Sequence, residues 1–135
     1  MSYAVSGALQ AAIYGILKDD ATLAGLVGGA IYDAPPSGTL PELYVTLGAE
    51  QVRAASDGTA SGAWHDLTVA VVTGASGFSA AKAVAAAVSD LLHEADLGLS
   101  RGRLVSLRFR RAAARRESGG LRRIDMTFRA RVEDA

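Results

Sequence analysis

Val105-Ser106-Leu107-Arg108-Phe109-Arg110 and, further on, Ile124-Asp125-Met126-Thr127-Phe128-Arg129-Ala130-Arg131-Val132 alternate apolar and polar side chains with period two. A strand turns successive side chains to opposite faces, so this pattern describes two strands, each with one buried face and one wet face. Val105, Leu107 and Phe109 are expected inward on the first strand. Ile124, Met126, Phe128, Ala130 and Val132 are expected inward on the second. Joined through Arg111–Gly120, with Ser118-Gly119-Gly120 supplying the turn, they form a long antiparallel hairpin.

Working outward, a hairpin with one apolar face needs cover. Ala63 to Thr73 is rich in β-branched residues, with Leu67, Val69 and Val71 on one face, and reads as a central strand. Tyr44-Val45-Thr46-Leu47 is a further strand fading towards Arg53, and Ile31-Tyr32-Asp33 a short one. Residues Ala34 to Pro41, with two adjacent prolines and a glycine, are a loop, and small polar residues make Ala54 to Gly62 a mobile loop or hairpin tip. Val5, Leu9, Ala12, Ile13, Ile16 and Leu17 recur at helical spacing. Asp20 is placed to cap a second, short helix through Leu23, Leu26 and Val27, which Gly28-Gly29 ends. A third helix, about Ser79 to Ala95, carries Val84, Val88, Leu91 and Leu92 as its apolar stripe. The expected architecture is α+β: one mixed, mostly antiparallel sheet of four or five strands, with two or three helices packed on one face. With 135 residues, no internal repeat and no linker, one domain over 1–135 is expected.

Half of the residues are hydrophobic, but 27 of them are alanine, so the core is small. The absence of cysteine excludes disulfides, thiolate metal sites and cysteine nucleophiles. No apolar run approaches the roughly 20 residues of a membrane span. The start lacks the marks of a signal peptide, so a soluble protein in a reducing compartment is expected. The net charge of zero hides a split. Residues 1–100 carry 3 basic and 10 acidic side chains, while residues 101–135 carry 11 arginines and 4 acidic side chains. Such polarity suits an interaction surface, with nucleic acid or the acidic part of an identical neighbour as partner. A solvated arginine-rich hairpin is the plain alternative.

Catalytic chemistry finds no support. His65 and His93 lie on different elements without metal-ligand spacing, with His65 expected on a strand surface and His93 near a helix C-terminus. Asp19-Asp20 supplies too few oxygens for a cation cage, and neither a G-x-S-x-G elbow nor a Walker loop is present. Thr73-Gly74-Ala75-Ser76-Gly77-Phe78-Ser79-Ala80 does resemble the phosphate loop of extended short-chain dehydrogenases, and Tyr14 and Lys18 resemble their catalytic pair. Against it, the last glycine is Ala80, the Tyr/Lys pair precedes the loop, and only 55 residues follow. No catalytic residue, cofactor or metal is therefore expected.

Ala8-Leu9-Gln10-Ala11-Ala12-Ile13-Tyr14, Leu17, Asp19-Asp20, Leu23, Leu26-Val27-Gly28, Ile31-Tyr32-Asp33, Pro36, Pro41 and Tyr44-Val45-Thr46-Leu47-Gly48 form an ordered series. It resembles the tail-completion, or tail-terminator, proteins of long-tailed phages, and in particular those of alphaproteobacterial gene transfer agents. Glu42-Leu43 departs from the pattern, separating Pro41 from Tyr44 where relatives often join proline to the aromatic.

The resemblance implies a structural protein, not an enzyme. A terminator of this kind forms a ring, typically a hexamer, that caps the tail tube, ends its polymerisation and joins the head-side connector or stopper. Implied partners are further copies of the chain, the tail tube protein, the connector, and DNA passing the lumen without sequence-specific binding, with no membrane. Assembly would take place in the bacterial cytoplasm, and the released phage-like particle would carry the protein. Arg108, Arg110, Arg111, Arg115, Arg116, Arg122 and Arg123 are the candidate interface or lumen residues. Other head–tail connectors and a nucleic-acid-binding module using the same arginines stay open beside it, and a nucleotide-binding enzyme ranks last.

Overall fold

The computed structural model describes residues 2–55 and 62–134. A 3-10 turn, Ser2–Val5, leads into α1 (Ser6–Asp19) and α2 (Ala21–Val27). Next in the chain are β1 (Ile31–Tyr32), β2 (Leu43–Ala54), β3 (Gly62–Thr73), α3 (Ser79–Leu92), β4 (Arg103–Glu117) and β5 (Leu121–Glu133). The strands form one sheet in the order β1-β2-β3-β5-β4, parallel only between β1 and β2. This is the mixed, mostly antiparallel α+β sheet that the periodicities imply.

Alternation sorts the two faces. Towards the helices point Ala63, His65, Val69 and Val71 of β3, and Ile124, Met126, Phe128, Ala130 and Val132 of β5. They meet Leu9, Ile13 and Leu17 of α1, Leu23 of α2, and Val84, Val88 and Leu92 of α3 in one apolar core. Fully burying each Val, Leu, Ile, Phe or Met side chain among them stabilises the fold by about 1.5–3 kcal/mol. The Asp20 carboxylate accepts a hydrogen bond from the Leu23 backbone N–H at 3.0 Å and so caps α2. The opposite face is polar over most of its area. At one end Tyr44, Val72 and Ala30 form a second small cluster with Tyr32 and Leu40 packed against it.

Four expectations are corrected. The hairpin connection is not Arg111–Gly120. Arg111–Glu117 continue β4 against β5, and the turn shrinks to Ser118–Gly120, where Gly119 (φ 79°) and Gly120 (φ 78°) take the left-handed conformation. Ala112-Ala113-Ala114 has low strand propensity, but β5 is already held by β3 and offers a ready ladder. Next, Val105 does not face inward. A bulge between Leu104 and Ser106 makes Val105 the extra residue, 46% exposed, and Leu104 takes the inward place. Third, β2 does not fade, because a bulge between Leu47 and Glu50 lets Glu50–Ala54 stay in register with β3. Finally, His65 is buried on the helix side instead of lying on a strand surface. Of the expected Ala54–Gly62 loop, 56–61 lie outside the described residues.

Candidate assembly surface on the C-terminal hairpin

The polar face of the sheet is built by register. Opposite one another on β3 and β5 stand Asp66 and Arg129, Trp64 and Arg131, and Thr68 and Thr127. On β4, Arg108 faces Arg129, and Arg111 faces Thr127. A second bulge, between Phe109 and Arg111, makes Arg110 an unmatched residue on this strand. The result is a groove of about 380 Å³ bordered by Gln51, Asp66, Arg110, Arg111 and Arg129.

One carboxylate organises the groove. Asp66 accepts from Arg129 Nε at 2.8 Å and Nη2 at 3.2 Å. This two-point contact holds the Asp66 carboxyl below the usual aspartate range against the opposing pull of partial burial, and the charges of Arg129, Arg53 and Arg110 add to the effect. Beside it the guanidinium groups of Arg53, Arg129 and Arg131 lie 5.7, 5.8 and 5.3 Å from the centre of the Trp64 ring. An indole face attracts cations, so Trp64 lets three like charges share a small area. Sequence inspection missed this cluster, since its members come from three strands and only their register brings them together.

The seven candidate arginines fall into groups. Arg122 is used inside the fold: it donates to the Ala75 carbonyl at 3.0 Å and lies over the Phe78 ring, fastening the hairpin to the β3–α3 connection. Arg123 donates to Asp125 at 2.8 Å and is half-buried. Arg115 is exposed and bridges Glu117 and Asp125, each at 3.4 Å. Arg108 reaches Glu94 at 3.8 Å. Arg110, Arg111 and Arg116 are exposed and form no ion pair among the described residues. The fold thus gathers Arg110 and Arg111 at the groove and Arg115 and Arg116 near the hairpin turn.

The residues weighed for catalysis have structural settings. His93 ends α3 as expected, and its Nδ1 accepts the Phe109 N–H at 2.9 Å. His65 Nδ1 lies 3.6 Å from Glu50 Oε2, beyond hydrogen-bond distance, and among the described residues neither buried ring nitrogen has a hydrogen bond. Burial pushes the Glu50 carboxyl up. The Ser6 hydroxyl at 2.7 Å, the Tyr3 hydroxyl and the neighbouring His65 outweigh it and bring it below the usual value. In the glycine-containing β3–α3 connection the Thr73 hydroxyl accepts the Ala75 N–H. Since β3 is antiparallel to both its neighbours, the parallel βαβ unit of a dinucleotide fold is not formed. Lys18 donates to the Gly29 carbonyl at 3.1 Å, apart from any such loop. Among the described residues no acidic or histidine cluster could hold a metal ion, and no helix is long and apolar enough to cross a membrane.

Known proteins place this architecture. No curated protein matches the chain. It is similar to a chain of a solved assembly described as the virion of a native gene transfer agent particle. The two are 62% identical and superpose with a TM-score of 0.92 over 98% of this chain and 99% of that one. The family model of the tail completion protein gp17 matches residues 11–133, and the chain belongs to that family.

Proposed function

We propose that the protein, folded as a single domain, is the tail terminator of a gene-transfer-agent particle. Copies of the chain close into a ring, a hexamer, on the end of the tail tube, stop its growth and offer the head-side connector a surface to join. DNA passes through the lumen without base-specific contacts. The protein transforms no substrate, and it is assembled in the bacterial cytoplasm and released with the particle.

The observation that carries this reading is the near-complete, 62%-identical match to a chain in such a virion. The surface chemistry supports it. A closed ring needs heterologous contacts, in which one patch meets a different patch on the next copy. Polar faces of opposite charge set that register and speed encounter. Exposed ion pairs contribute only about 0–1 kcal/mol each, so buried apolar contacts must supply most of the ring's stability.

Light scattering in low and high salt, with negative-stain images, tests the proposal. The expected species is a ring of about 80 kDa, sixfold the 13.9 kDa chain, either free or after addition of tail tubes. A chain that stays monomeric and leaves tube ends growing in both conditions would overturn it.

A further inference from the structure

β4 is the outermost strand on its side of the sheet, and only part of its free edge is covered. The Phe109 N–H donates to His93 and the Leu107 carbonyl accepts the Glu94 N–H at 2.6 Å, so the segment after α3 occupies the edge up to Phe109. These bonds also fix which backbone groups point away from β5. Arg110, the bulge residue, shifts the alternation by one. Beyond it the outward groups belong to Ala112, Ala114 and Arg116. Among the described residues, no hydrogen bond outside the β4–β5 ladder reaches them.

A bare edge is a template for another chain, and stable monomers guard such edges with lysine, proline or an inward charge. Here the middle of the edge is three alanines. Their short side chains leave the backbone open to close approach, and arginines stand at either end.

The opposite edge of the sheet has the opposite charge. The segment joining β1 to β2 carries Asp33 and Glu42 and no basic side chain, and from Arg101 to Arg116 the chain carries seven arginines and no acidic one. Asp33 and Glu42 bracket the exposed proline-containing segment that joins β1 to β2. Register places this segment and the bare edge at the same end of the strands, for Leu43, Thr73, Arg122 and Arg116 form one row across the sheet. Copies set side by side therefore bring the two together without a shift along the strands, the condition for a ring to close instead of climbing into a helix.

We infer that the bare edge of β4, Ala112 to Arg116, is covered by the Asp33–Glu42 segment of the next copy. Arg115 and Arg116 face Asp33 and Glu42, and carbonyls of that segment take the free N–H groups. This contact rests on the ring reading above and names its interface.

The test uses the absence of native cysteine. Ala113→Cys and Ser37→Cys are combined in one chain and treated with a short bis-maleimide, both on free protein and on protein bound to tail tubes. The expected result is a ladder of covalent multimers ending at the ring. Either single-cysteine chain should give at least tenfold less. Adding Arg115→Glu and Arg116→Glu should abolish the ladder, and adding Asp33→Lys and Glu42→Lys as well should restore it. Dimers from Ala113→Cys alone would reveal edge-to-edge pairing of two β4 strands and overturn the inference. A ring seen by mass without the ladder would place the contact elsewhere and leave the ring reading standing. A monomer in both settings would overturn both.

Discussion

Arg129 and Asp66 are directly opposed on β5 and β3, and the guanidinium closes on the carboxylate through two nitrogens, at 2.8 and 3.2 Å. The pair is neither sealed nor free, with each side chain about one quarter exposed. It joins the two strands at the centre of the sheet and sets the charge of the groove beside it.

Its contribution should depend on pH with a definite sign. The folded Asp66 carboxyl titrates below its usual value of 3.8, so its stabilisation is complete above that value and is lost as pH falls through the folded one. Asp66→Asn should lower stability by about 1 kcal/mol at neutral pH, or a few degrees of Tm. As pH falls below 3.8 towards the folded titration point, the gap between the two proteins should narrow. Thermal melts from pH 7 to pH 2.5 check this, and a constant gap across the range would refute the assignment.

Phe128 is fully buried at the centre of β5, edge-on to Phe109 at 5.8 Å. Phe128→Ala should cost about 3–5 kcal/mol, because the sheet and α3 cannot collapse into the space. Phe109, 37% exposed, should lose clearly less on the same change. Urea unfolding of the two variants compares them directly, and equal losses would contradict the packing.

Gly102 precedes β4 with φ 73°, and a Cβ there would stand 2.6 Å from the Glu133 carbonyl oxygen and 2.9 Å from a Val5 methyl. The carbonyl belongs to backbone and has little room to yield. Gly102→Ala should therefore destabilise by about 2 kcal/mol or more, from strain and overlap together. A melting temperature unchanged within a degree would show that the turn relaxes freely.

His65 tests the opposite expectation. Among the described residues its buried ring nitrogens have no hydrogen bond, and the Glu50 carboxylate at 3.6 Å is their one charged neighbour, so the imidazole gains little from polarity where it sits. His65→Leu should leave stability unchanged or raise it by up to about 1 kcal/mol, since a similar volume fills the site without desolvating polar atoms. A loss above about 2 kcal/mol in urea would mean that its contact with Glu50 matters more than the 3.6 Å separation implies.

Local periodicity, and the elements it dictates, were determined by the sequence alone. Period two at Ile124–Val132, the β-branched run before Thr73, the apolar stripe at Val84, Val88 and Leu92, and the Asp20 cap are each written in near neighbours, and all take the expected form. The charge split was equally visible, as was the family series from Ala8 to Gly48. Tertiary structure alone decided which strands are neighbours, and hence which distant side chains meet. A bulge shifts the alternation of a strand from one side of it to the other, and composition does not announce it, so Val105 left its expected place. Ala112–Ala114 became strand because a partner ladder outweighs weak local preference. The same pairing separates the arginines held within the fold, Arg122 and Arg123, from Arg110, Arg111 and Arg116. It also gathers Arg53, Arg129 and Arg131 around Trp64. Charge can be counted along a chain, but whether a charge is already satisfied depends on contacts between residues far apart in it.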